Sequence, residues 1–260
     1  MAHQMRPWLT EHGRCPTRRT WERRFEKLPA RRPALRGWLG RPLGTRLQPW
    51  AVQGHAAAVD STPLRANGGV WHKKHRLAGE VPQTSIATEA PWRKSGAHGW
   101  WYGWTVPLAV VVGSIWSPLA AEFPIASDAD HLIAPKLLEQ WPREVRDVLG
   151  DTHYHPPALR AECPLHHRAL VATRRGPYPH REGGVEVRRM FHQLRSRAIE
   201  PFNGVFKNIF AWRGQRPVTG LQRCQWLALG AILLYQIVLL YHHQRQHPVG
   251  GGVKALLRAA

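Results

Sequence analysis

Three acidic residues carry the first chemical signal in this chain: Asp60 in AAAVDST, Asp151 in VLGDTHY and Glu200 in RSRAIEPFNGVFKNIF. Each aspartate closes a short apolar run that predicts a buried strand, and the glutamate sits in a run of helical periodicity. Three carboxylates gathered from two strand ends and one helix face can hold two divalent metal ions across a phosphodiester. One ion would activate the attacking oxygen and the other would stabilise the leaving one. At about 100° per residue, Arg197, Asn203 and Lys207 return to the face of Glu200, while Ile199, Phe202, Phe206, Ile209 and Phe210 form an apolar stripe beside it. One side of such a helix packs, and the other presents an acid between cations suited to phosphate oxygens.

The composition points to a polyanionic partner. With 37 Lys+Arg against 17 Asp+Glu, the formal charge is +20, a one-signed excess that solubility alone rarely needs. At 260 residues with 43% hydrophobic content, the chain is long enough for one substantial core and is no disordered basic tail. Cys15, Cys163 and Cys224 lie far apart without a CxxC pair, which argues against a disulfide framework or a cysteine zinc site and for a reducing, cytoplasmic setting. Two separate histidine pairs, His72 with His75 and His153 with His155, lack the further ligands zinc needs. The apolar run 227–241 contains Gln236 and is shorter than a bilayer span, so it reads as a buried helix, with no membrane partner.

The elements that must position the acids follow from periodicity. Residues 55–60 predict the first core strand, 101–112 and 118–125 a hairpin, 130–140 a helix despite Pro135, and 145–150 a strand ending at Asp151. A short helix over 157–163 and a strand over 169–173 precede the helix of Glu200. Residues 61–98 read as a long Gly-, Lys- and His-rich connection. The aromatic run Trp100, Trp101, Tyr102 and Trp104 reads as core and sheet-face packing in preference to stacking on unpaired bases. Strand, hairpin, helix, strand, helix, strand, helix is the order of an α/β fold with an RNase H-like mixed sheet flanked by helices. The expected organisation is a short basic helical N-terminal region over 1–50, a truncated DNA-binding module in which RTWERRFEKL forms an amphipathic helix. The main domain covers 51–245, and a tail covers 246–260.

VDSTPLRA around Asp60, YGW at Tyr102 to Trp104, LGDTHY around Asp151 and RxIExFNGxFK from Arg197 to Lys207 resemble the DDE transposases of bacterial insertion sequences over roughly residues 50–245. The resemblance implies that Asp60, Asp151 and Glu200 are the catalytic and metal-binding triad, with Mg2+, or Mn2+ in its place. It also implies cleavage of double-stranded DNA at element ends, joining of the freed 3′ hydroxyl to a target, and a homodimer on DNA at the nucleoid. Arg197, Lys207, Asn203 and Arg195 are then the DNA-binding side chains.

This chain also departs from the family pattern. His192 and Gln193 stand where the family has a tyrosine, Arg195 competes with Arg197 for the phosphate role, and Thr105 replaces a basic residue. Pro107 interrupts an inner strand, and Pro201 follows Glu200 directly, predicting a helix start or a kink there. The alternative is therefore a catalytically inactive, DNA-binding remnant of a transposase.

Overall fold

Strand alternation in two long strands divides the protein into two cores. The computed structural model describes residues 55–66, 70–80, 86–95, 99–113, 115–124, 130–154, 157–172, 185–209 and 218–246, together with Thr17, Arg19, Thr20, Arg23 and Lys27. Its strands are β1 (Ala56–Arg65), β2 (Trp92–Ser95), β3 (Gly99–Val111), β4 (Pro118–Ala121), β5 (Asp147–Gly150) and β6 (Ala169–Ala172). Its helices are α1 (Lys73–Leu77), α2 (Asp130–Leu138), α3 (Pro157–Leu165), α4 (Val185–Asn208) and α5 (Leu221–Gln244). Arg19, Thr20, Arg23 and Lys27 are also helical, and the rest of the N-terminal reading, like the tail from 247 onward, lies outside the described residues.

The sheet order is β2-β3-β1-β5-β6, with β4 also on β3. β1 runs antiparallel to β3 and parallel to β5, and β5 runs parallel to β6. Strands β4, β3, β1, β5 and β6 therefore have the order and sense of an RNase H-like mixed sheet. On β1, Ala58 and Leu64 face one core while Ala57 and Val59 face the other, as a period of two requires. The first core is closed by Ala198, Ile199, Phe202 and Phe206 of α4 and by the apolar side of α5, with Phe202 edge-on to Tyr235 at 5.3 Å. Each such phenylalanine contributes ~1.5–3 kcal/mol by leaving water. The second core holds Ala134, Leu137 and Leu138 of α2, Trp141, Tyr154, and Leu159 and Cys163 of α3. Burial pushes the Cys163 thiol up to about 11, so it is a packing residue with little thiolate character.

Several expectations are corrected. β1 does not end at Asp60 but continues to Arg65 along the 13-residue β3, and the connection after it contains α1 and β2. β4 stops at Ala121. Both prolines fit because of the way the ladder points. The bonds Val111 N–H to Ser117 O and Glu122 N–H to Pro107 O show that odd-numbered backbone groups of β3 face away from β1. The Pro107 nitrogen therefore points past the end of β4. By the same alternation the Pro63 nitrogen points away from β3, to the side where β5 pairing has already stopped at Ala58 opposite Leu149. α4 neither begins nor breaks at Pro201 but runs through it from Val185.

α5 is long and apolar enough to cross a membrane by length and composition, yet 61% of its most apolar window is buried inside the protein. Gln236 within it donates to Pro118 O at 2.7 Å, which gives this buried amide a partner.

Gly103 is where β3 leaves β2 for β1. Its φ is +151°, and a Cβ there would stand 2.2 Å from the Leu64 carbonyl oxygen, a backbone atom that cannot swing aside. Gly103→Ala is expected to lower stability by about 3 kcal/mol, read as a shifted denaturation midpoint. An unchanged midpoint would show that the strands are not this close.

Candidate active site

Parallel register brings the two aspartates together. Asp60 and Asp151 each lie two residues past the last paired rung, Ala58 opposite Leu149. In a parallel pair that places them as neighbours on one face, beyond the carboxyl end of β5. This is the face covered by α4. Beyond this rung β1 has no strand partner on its β5 side among the described residues, and the Ser61 N–H that points there is taken by Asp60 Oδ1 at 2.8 Å. Asp60 Oδ2 accepts from Arg195 Nη1 at 2.9 Å, with the two side chains 26% and 10% exposed. Burial raises the Asp60 pKa; Arg195 and the Ser61 N–H oppose that shift, and the nearby Asp151 charge adds to it.

Asp151 is held by its own turn. Its Oδ1 accepts the His153 backbone N–H at 2.8 Å, and its Oδ2 lies 2.9 Å from His153 Nδ1. This is the Asx geometry that starts a short 3-10 turn over Thr152–Tyr154. Gly150 permits the turn to fold back: a Cβ there would stand 2.6 Å from Tyr154 Cβ. Tyr154 is buried, and its hydroxyl lies 3.5 Å from Ser61 Oγ, linking the Asp151 turn to β1.

The orientation of α4 decides the third acid. Arg195, Ala198, Ile199, Phe202 and Phe206 are all buried, and their spacings of three and four make them one stripe. Arg195 is thus the polar end of the packed stripe and reaches the sheet, whereas Glu200 lies about 140° around the helix from it and is exposed, as is Arg197. Asn203 and Lys207 are half-buried at the edge of the stripe. Lys207 is near enough to Asp60 for that charge to raise its pKa, but burial outweighs this and the pKa is lowered. Asn203 Oδ1 and Ser196 Oγ on the same edge are buried without a hydrogen-bond partner among the described residues.

Two metal ions would need three oxygen ligands around a common centre. Among the described residues no group of three His, Cys, Asp or Glu side chains is placed to share an ion. Glu200 is exposed, and Asp60 Oδ2 is held by the Arg195 guanidinium. The cluster as it stands is an acid pair, Asp60 and Asp151, with Arg195 on Asp60 and Lys207 within reach of its charge.

The chain matches no protein-family model, and no curated protein matches it. The site therefore rests on its own geometry. Of the side chains expected here, Asp60, Asp151, Arg195 and Lys207 are gathered, Asn203 borders them, and Glu200 and Arg197 face solvent. The Ser61 backbone N–H and His153 join the cluster without having been singled out as site residues. The burial of Arg195 was readable in principle, since it stands four before Ile199 and seven before Phe202, on the apolar stripe itself.

Proposed function

We propose that this chain is a DNA-handling protein of the insertion-sequence transposase type, built on an RNase H-like sheet. The observation that carries this reading is the in-register pair Asp60 and Asp151 at the end of the parallel strands, in a chain of net charge +20. A crevice at strand carboxyl ends is where such sheets take ligands, and a backbone phosphate suits a cluster that holds Arg195 and Lys207. The transposase reading assigns Glu200 as the third carboxylate; it lies about 20° around α4 from Lys207, the cation that feels the Asp60 charge.

A specific observation favours a second reading, a DNA-binding remnant without cleavage: the Arg195 guanidinium holds Asp60, and Glu200 is exposed. Purified protein mixed with supercoiled DNA carrying its element ends, in magnesium or manganese, separates the two readings. Nicking that Asp151→Asn abolishes, with DNA affinity near normal, supports the transposase. Binding without nicking supports the remnant. Absence of DNA binding at low salt removes both.

A further inference from the structure

We propose that the β2–β3 hairpin and α1 form a second nucleic-acid contact, in which Trp100 is the platform for an unpaired base. The proposal rests on the DNA-handling reading and extends it to a surface remote from the aspartate pair. The aromatic run of β3 is split by the fold: Trp101, Tyr102 and Trp104 are at most 5% exposed, whereas Trp100 is 66% exposed. Trp100 shares the sheet face of Tyr102 and Trp104 but lies past the part of that face with a hydrophobic cover. Its cross-strand neighbour is Lys94, whose Nζ is 5.7 Å from the ring centroid.

The same arrangement recurs beside it. Arg76 lies 5.4 Å over the Trp71 ring, Trp71 O accepts from Trp92 Nε1 at 3.0 Å, and Trp92 lies 6.2 Å from the His72 ring. Cations alternating with aromatic faces suit a strand whose phosphates need neutralising and whose unstacked bases need a π surface. An acidic protein partner would use the cations but has no need of an exposed indole. Geometry also links this surface to the aspartates. Asp60 pairs with Leu108, so Trp100 is eight residues farther along β3 on the same face, about 27 Å away. A single nucleic-acid molecule spans that distance.

The test uses the full chain and three labelled oligonucleotides: a blunt duplex, the same duplex with a short single-stranded overhang, and the overhang made abasic. The parent protein is expected to prefer the overhang, and Trp100→Ala to remove about tenfold of its affinity for it. Affinity for the blunt and abasic forms should change less than twofold, and Trp100→Phe should keep most of the preference. An unchanged melting temperature for Trp100→Ala confirms that the exposed site is not structural. Equal parent affinity for blunt and overhang duplex, or equal weakening of both by Trp100→Ala, overturns this contact while leaving the DNA-handling reading intact. If no oligonucleotide binds at low salt, both fall together.

Discussion

Duplex DNA is expected to bind this chain about a thousandfold more weakly at ~200 mM salt than at ~50 mM. The net charge of +20 is the cause. A protein that neutralises Z phosphates releases their counterions, so log affinity falls against log salt with a slope of about −0.9Z; six contacts give a slope near −5. Exposed cations are available on several described elements, among them Lys73, Lys74 and Arg76 on α1, Lys94 on β2 and Arg197 on α4. Anisotropy titrations across a potassium chloride series measure the slope directly. A slope near zero would mean that the charge excess does not engage the phosphate backbone.

Removing the Arg195 guanidinium is expected to be costly to folding. Arg195→Ala leaves Asp60 three-quarters buried and facing Asp151 without its cation. Breaking such a pair costs several kcal/mol, and the partial exposure of Asp60 puts this case near 3 kcal/mol at neutral pH. In a chain of this size that lowers the melting temperature by roughly 6–12 °C. Asp60→Asn combined with Arg195→Met should recover most of the loss, because it removes both charges together.

The pH dependence of that variant has a definite sign. Burial already raises the Asp60 pKa above its ordinary 3.8 with Arg195 present, and losing the cation raises it further. The folded variant then binds a proton more tightly than the unfolded chain, so its stability falls as pH rises from 3.8 through the raised folded value. The deficit is present above that window and shrinks below it. Denaturant melts of parent and variant at neutral and acidic pH test this, and a deficit that does not change with pH would show that Asp60 is not the group left exposed to the loss.

Much of the fold was legible because burial and periodicity are local signals. The runs at β5, β6, α2 and α3 appear in the structure within a few residues of where apolar spacing puts them. The exceptions share a cause. D-S-T-P from Asp60 to Pro63 carries turn composition, yet β1 continues through it because β3 supplies a partner for each residue up to Arg65 and because the Pro63 nitrogen points away from β3. Pro201 reads as a helix boundary in the sequence because propensity describes an isolated segment. Tertiary packing of Phe202 and Phe206 against the sheet and α5 outweighs it.

By itself the sequence determined the α/β class, the chain order of every strand but β2, the large positive charge and the identity of the scarce acids, all of which depend on residue type and short-range spacing. Only the tertiary structure decided which of those acids meet. Asp60 and Asp151 are 91 residues apart in the chain and become neighbours solely through the β1–β5 register. Glu200 and Arg195 are five residues apart on one helix, and which of them reaches the sheet depends on the rotation of α4 about its axis. That rotation is set by the buried stripe from Arg195 to Phe206, whose apolar area outweighs any preference of a single charged side chain.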